Sequence, residues 1–178
     1  MTGRQVTGPA SEGPVTAAAI RAEDERDHDA VRDVHRLAFA NEAEGRLVDA
    51  LRRSGDAVLS LVAEQDARIV GHILFSRLAA PMRALALAPV GVRPGHQGRG
   101  IGSALIREGL ERARDGGWAA VFVLGDPAYY GRFGFSVAAA KGYACAYAGD
   151  YFMVRALGSR RIPEAGRIVY PAPFADLS

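Results

Sequence analysis

At 178 residues, 49% of them hydrophobic and 24% charged, the chain suits one domain with a real core and is short for two. Its 22 basic and 20 acidic side chains leave a net charge of +2, which supplies no general field toward nucleic acid or an anionic membrane. Cys145 is the sole cysteine, which excludes an intrachain disulfide and a cysteine-built zinc site and suits a reducing cytoplasm.

Residues 1–16 are polar and broken by Gly3, Gly8, Pro9, Gly13 and Pro14. They lack the apolar core of a signal peptide and are expected to form a flexible tail. No apolar run is long enough to span a bilayer, so a soluble cytoplasmic protein is expected. Lys141 is the only lysine beside many arginines, a bias that with abundant alanine points to a GC-rich bacterial genome rather than to a binding function.

Residues 17–21 predict a first strand. Asp27 is placed to cap a helix, on which Val31, Val34, Leu37 and Ala38 share one face. Leu47, Val48 and Leu51 form a second such face, ending at Gly55. Residues 57–63 and 68–78 predict strands joined by a short hairpin connection over Glu64, Gln65, Asp66 and Ala67. Residues 84–92, apolar and uncharged, predict a buried central strand. A glycine-rich stretch over 95–102 leads into a helix with Ile101, Leu105, Ile106 and Leu110 on one face, running to Gly116 and Gly117. Residues 118–124 predict another strand, and Pro127 sits in the first turn of a short helix. Beyond Phe135 come short strands and turns. Helices alternating with strands imply one α/β or α+β domain over residues 17–178.

The stretch from Val90 to Leu105 passes from the central strand through the glycine loop into the helix. Glycines let the backbone approach a bulky anion and adopt positive φ. A helix start presents free N–H groups and the positive end of its dipole. Together they make a phosphate cradle, to which Arg93 and Arg99 are placed to add charge-assisted hydrogen bonds. Two other phosphate loops are excluded by spacing. The P-loop ends in Gly-Lys-Ser/Thr, and this loop has no lysine. The dinucleotide fingerprint needs a glycine where Ser103 stands.

The spacing present is Gln-x-x-Gly-x-Gly, as Gln97, Gly100 and Gly102, behind a lead-in of Val90, Val92 and Pro94. It resembles the pyrophosphate-binding motif of the GNAT acetyltransferase superfamily. The resemblance implies that Gln97, Gly98, Arg99, Gly100, Ile101, Gly102 and Ser103 hold the diphosphate of coenzyme A. It also implies that Val90, Gly91 and Val92 lend backbone groups to the pantetheine arm. A second string, from Gly125-Asp126-Pro127 through Tyr129, Tyr130 and Arg132 to Phe133-Gly134-Phe135, resembles the Tyr-x-x-x-Gly-Phe element that ends the fold of this family. There a tyrosine near the sulfur serves as general acid for the leaving thiolate, and the matching position is Tyr130. The pKa of a phenol lies near that of a leaving thiol, so the role is chemically reasonable. Tyr129 reads as a packing residue. This string, and the tail through Tyr151 and Gly166 to Phe174, are similar to the YhbS-like branch of the superfamily, and the likeness covers nearly everything from Ala17 to Phe174.

The resemblance implies an α/β (α+β) fold: a central twisted mixed sheet flanked by helices and splayed at the central strand, where the cofactor enters. It implies transfer of an acetyl group from acetyl-CoA, as cosubstrate, to an amine on a small molecule or a protein. The transfer would be direct, within a ternary complex, with a backbone N–H near Val90 polarising the thioester carbonyl. Neither nucleic acid nor membrane is expected as a partner, and a monomer or a homodimer would serve.

The general base has no obvious place. Many members of the family carry a glutamate on the central strand, but residues 84–92 hold no Glu, Asp or His. Glu42, Glu44 and His72 are candidates from neighbouring elements, although each reads first as a surface residue or, for His72, as a partly buried strand residue. Cys145 lies between Ala144 and Ala146, which offer no activating group, so an acyl-cysteine route is not expected. His28 with His35, and His72 with His96, lack metal-ligand spacing with acids, and no metal is expected. The base-free strand leaves a non-catalytic acyl-CoA-binding or sensing module as the alternative.

Overall fold

The computed structural model describes residues 17–159 and 161–177. The segment expected to be a flexible tail lies outside them. Among these residues the main sheet has six strands in the order β1-β2-β3-β4-β5-β7. They are β1 (Ala19–Ala22), β2 (Ala57–Gln65), β3 (Arg68–Leu78), β4 (Ala84–Val92), β5 (Ala120–Leu124) and β7 (Phe152–Ala156). All neighbours are antiparallel except β4 and β5. A small parallel pair, β6 (Tyr143–Ala144) with β8 (Gly166–Arg167), lies apart from it. The hairpin between β2 and β3 is tighter than expected. Glu64 and Gln65 remain in β2, and only Asp66 and Ala67, at φ 49° and 59°, make the turn. Positive φ at both central residues suits the right-handed twist of the flanking strands.

The sheet alternates its side chains between two helical layers. On one face α1 (His28–Phe39) and α2 (Ala43–Ser54) bring Val31, Val34, Leu47, Val48 and Leu51 onto Val62, Leu74, Ala86 and Phe122. On the other, α3 (Ile101–Asp115) sets Leu105, Ile106 and Leu110 against Leu61, Phe75, Leu85 and Val121. Buried on both faces, β4 needs an uncharged sequence, as its reading predicts.

The feature that positions the site is the break between β4 and β5. They pair only at Ala84–Ala120, Leu85–Val121 and Ala86–Phe122. Beyond Ala86, β4 stays with β3 to Val92, while β5 stays with β7 to Leu124. The two strands diverge into an open V. A bulge marks the divergence: Ile73 pairs with Val90 and Phe75 with Leu87, so Ala88 and Pro89 together face Leu74. Proline has no N–H for a ladder, and within sheets it belongs at edges and bulges. The extra residue bends the strand.

Two expectations on the first helix are corrected. Asp27 does not cap α1 with its side chain. Asp24 does the capping, of the preceding 3₁₀ turn, and the Asp27 carboxylate accepts from the Asp24 N–H at 3.0 Å and from Arg21 at 2.6 Å and 2.9 Å. Those Arg21 hydrogen bonds hold the Asp27 carboxyl at about 2. Leu37 is exposed, and His35 takes the inward place beside Val31 and Val34.

His35 is buried because it finds polar company. Its Nε2 lies 2.7 Å from His72 Nδ1, His72 Nε2 lies 2.8 Å from Ser60 Oγ, and Ser60 donates to Glu23, which also receives Arg52. The proton order follows from the inventory of donors. Ser60 gives its one hydrogen to the carboxylate, so it accepts from His72 Nε2–H. His72 Nδ1 then accepts from His35 Nε2–H, and both rings are neutral. Burial would raise the Glu23 carboxyl, but His72, Ser60 and Arg52 together hold it at about 2. Burial lowers both imidazoles, His35 to about 3, with the positive groups around it adding to the effect.

This chain fastens α1, and with it Phe39, to the sheet, and it makes the fold acid-sensitive. The folded pKa of His35 lies below its unfolded value near 6.5, so the unfolded chain binds the proton more readily. Its contribution is complete above that value and is lost as pH falls toward 3. At 1.36 kcal/mol per pKa unit, His35 alone removes about 2 kcal/mol between pH 7 and pH 5. Denaturant unfolding across that range should show the loss begin well above the carboxylate range. A stability that stays flat from pH 7 to pH 5 would refute the arrangement.

Candidate active site

The glycine loop lies at the outer end of β4. The Arg93 N–H donates to the Val70 carbonyl at 2.9 Å, and Gln97 Nε2 donates back to the Val92 carbonyl at 2.9 Å. The predicted diphosphate ligand Gln97 thus spends a side-chain N–H on holding the loop against its strand. Arg93 points away, with Nε on the Ile69 carbonyl at 3.0 Å, while Arg99 is exposed and makes no ion pair among the described residues. Of the two arginines, Arg99 is the one whose side chain has no hydrogen-bond partner among the described residues.

Gly98 and Gly100 have φ of 73° and 81°, and Gly100 is the residue from which α3 starts. A side chain at this φ is strained, which is why glycine stands there. The first helical bond runs from the Ala104 N–H to the Gly100 carbonyl at 2.9 Å. The N–H groups of Ile101, Gly102 and Ser103 therefore have no acceptor within the helix. The first turn of α3 carries no acidic side chain. What remains is a cluster of bare donors at the positive end of a 15-residue helix dipole. A Cβ at Gly102 would come 3.3 Å from the Tyr129 hydroxyl, so Tyr129 lies over this turn as well as packing on Tyr130 and Phe133.

The other arm of the V opens into a cavity of about 470 Å³. Leu87 to Val90 of β4 and Leu124 of β5 form its floor, and Phe39 and Leu47 come from α1 and α2. Tyr147, Tyr170 and Phe174 return from the C-terminal segment to line its far side. Tyr130 and Glu44 also line it.

Tyr130 ends α4 (Pro127–Tyr130), whose start is capped by Asp126 accepting from the Ala128 N–H at 2.9 Å. The ring lies flush on Gly125, where a Cβ would come 2.4 Å from Tyr130 Cε2, so only glycine permits this approach. Tyr129 and Phe135 hold it edge-on, at 5.0 Å and 5.9 Å between ring centres. Burial pushes the phenol up to about 12. Tyr130 therefore keeps its proton throughout the ordinary pH range but is not matched to a free thiol, as the sequence reading assumed.

Of the three base candidates, the structure brings one into the cavity. Glu42 is exposed, with its nearest charge Arg36 at 3.9 Å. His72 is wholly buried in the chain described above and does not line the cavity, which corrects the reading of it as partly buried. Glu44 lines the cavity, and its Oε2 is buried with no hydrogen-bond partner among the described residues. Cys145 lies outside it, and burial raises its thiol. Among the described residues no three His, Cys, Asp or Glu side chains gather as a metal site requires. No described helix is long and apolar enough to cross a membrane.

The acetyltransferase (GNAT) family profile matches residues 19–135. The chain is 36% identical over 134 residues to the uncharacterized N-acetyltransferase YhbS of Escherichia coli K12, an alignment spanning 73% of this chain and 80% of that protein. It is 41% identical over 133 residues to the uncharacterized N-acetyltransferase YjhQ of the same organism, spanning 70% and 73%. Among solved structures, E. coli YhbS in complex with CoA superposes with a TM-score of 0.84 at 32% identity, covering 93% of this chain and 96% of that one. A GNAT family acetyltransferase from Brucella melitensis in complex with acetyl-CoA superposes with a TM-score of 0.75 at 39% identity, covering 88% and 97%. With a family match that begins in β1 and ends beyond Tyr130, and relatives aligned over most of their length, the chain belongs to the GNAT acetyltransferase family.

Proposed function

We propose that the protein moves an acetyl group from acetyl-CoA to an amine by direct attack within a ternary complex. The observation that carries this is the open V: bare helix donors at its outer end, and a cavity holding Tyr130 and Glu44 at the other. In this reading the loop from Gln97 to Ser103 receives the diphosphate, through backbone N–H groups more than side chains. The unpaired edge of β4 at Val90, Gly91 and Val92 takes the pantetheine amides as a further strand would. A backbone N–H near Val90 polarises the thioester carbonyl. Tyr130 gives its proton to the thiolate as the C–S bond breaks. The catalytic domain spans residues 17–178, and a cytoplasmic location with a monomer or homodimer suits it.

The relatives support the cosubstrate, since YhbS binds CoA and the Brucella protein binds acetyl-CoA in their crystals. A sensing module without catalysis drew its appeal from a strand lacking a base. The carboxyl of Glu44 within the cavity weighs against it. Titration calorimetry should show CoA binding, and acetyl-CoA with a panel of amines should release free thiol at a rate set by the amine. CoA binding with no amine-dependent thiol release from any amine would favour the sensor.

A further inference from the structure

We infer that the acceptor is a small primary amine on an uncharged, apolar body, and that Glu44 binds its ammonium group and removes the proton before attack. The inference rests on the acetyltransferase reading of the same site and concerns what fills its acceptor half. The cavity wall is aromatic: Phe39, Tyr130, Tyr147, Tyr170 and Phe174 contribute rings. Tyr147 and Tyr170 meet edge to face at 4.8 Å, and Tyr170 and Phe174 at 5.0 Å, so these rings form a continuous wall. Burial raises the Tyr170 phenol, which stays neutral. Against this wall, among the described residues, the lining holds one carboxyl group, that of Glu44, and no Lys, Arg or His.

That composition selects by charge. Aromatic faces attract a cation through their quadrupoles, and a carboxylate supplies its counter-charge. A ligand carboxylate would meet Glu44 with no cation to receive it, so amino acids with a free carboxyl group are disfavoured. Glu44 Oε2 makes no hydrogen bond to the described residues although it is buried. A buried acceptor without a donor is costly, and an ammonium ligand would satisfy it. Size narrows the class further. At roughly 30 Å³ for a water-sized group, the cavity of about 470 Å³ holds about sixteen such groups, and the acetyl end must occupy part of that space. The remainder fits an amine the size of phenethylamine.

The proton balance closes. The ammonium gives one proton to Glu44, which passes it to solvent. The free amine nitrogen attacks the thioester carbon and the C–S bond breaks. The nitrogen loses a second proton, which replaces the one Tyr130 hands to the thiolate. The products are the N-acetyl amine, CoA thiol and one released proton.

Three acceptors test the inference with the 178-residue chain: phenethylamine, phenylalanine and a lysine-bearing peptide. Phenethylamine should be acetylated with a kcat/KM at least roughly a hundredfold above phenylalanine and above the peptide. Glu44→Gln keeps the shape of the side chain and should lower kcat/KM for phenethylamine at pH 7 by roughly a hundredfold. The loss should shrink as pH climbs toward the pKa of the amine near 10, where solvent deprotonates it without help. The affinity of the variant for acetyl-CoA should match wild type. Equal use of phenylalanine, preference for the peptide, or a variant within about threefold of wild type at pH 7 would overturn it. Turnover of other amines but not phenethylamine sinks this inference and leaves the acetyltransferase reading standing. Failure to bind CoA at all sinks both.

Discussion

Gly100→Asp should abolish CoA binding while leaving the protein folded. The residue has φ 81° at the start of α3, and an added Cβ would meet nothing within 4 Å. An L-residue in the left-handed region costs about 1–2 kcal/mol. A carboxylate at a helix N-terminus returns about 0.3–1 kcal/mol of that through the dipole. The net change in stability is small. Binding is a different matter, because the new carboxylate occupies the field and donors on which the diphosphate depends. One pair of like charges about 5 Å apart, at an effective dielectric near 20, repels by about 3 kcal/mol, more than a hundredfold in affinity. A diphosphate brings more than one charge. Gly100→Ala separates the causes, since it carries the φ penalty without the charge and should bind CoA within about tenfold of wild type. Calorimetry on both variants decides the matter. An aspartate variant that binds like wild type would place the diphosphate elsewhere.

The shape of the loop was legible in the sequence because it resides in the backbone. Positive φ at Gly98 and Gly100 and bare N–H groups at a helix start leave their mark as glycine spacing. Tyr130 was singled out by its spacing from Gly134 and Phe135 in a string that resembles a family element; its packing on Gly125, which must be small for the ring to lie there, was not read from the sequence. Glu44 was named only as one of three candidates, with nothing local to set it apart. It sits in the first turn of α2, near the equally acidic but exposed Glu42, and only the return of Tyr170 and Phe174, over a hundred residues later, makes a cavity at one and not the other.

The same limit explains the first helix. Apolar periodicity favoured Leu37 for the inner face, and hydropathy gave no reason to choose His35. His35 is buried because His72, 37 residues away, offers its ring nitrogen, and no local pattern carries that pairing. The splay of the sheet had a signal that periodicity does not weigh: a proline within an otherwise apolar central strand. Pro89 marks the bulge at which β4 leaves β5.

Tyr130→Phe should lower turnover by roughly a hundredfold, the lower end of general acid–base contributions. Among the described residues the Tyr130 hydroxyl has no hydrogen-bond partner, and the ring's contacts with Gly125, Tyr129 and Phe135 do not involve it. The substitution removes neither packing nor a native hydrogen bond, so the variant should unfold within about 0.5 kcal/mol of wild type. The affinity for acetyl-CoA should hold, because the proton is needed only as the C–S bond breaks. The buried phenol near 12 is a weaker acid than a thiol in water near 8.5, which opposes full transfer to a thiolate that is itself solvated. The comparison changes inside the cavity, where the burial that disfavours a phenolate also disfavours a thiolate. The raised value has its own consequence: Tyr130 stays protonated to pH 10 and beyond, so its ionisation leaves no falling limb on the wild-type profile between pH 7 and pH 10. The decisive comparison uses acetyl thioesters of thiols graded in acidity. A more acidic thiol needs less help to leave, so the wild-type to variant ratio should fall toward one as the leaving group improves. A ratio that does not vary with the thiol, with chemistry rate-limiting, would make Tyr130 a wall of the cavity and leave solvent to protonate the thiolate.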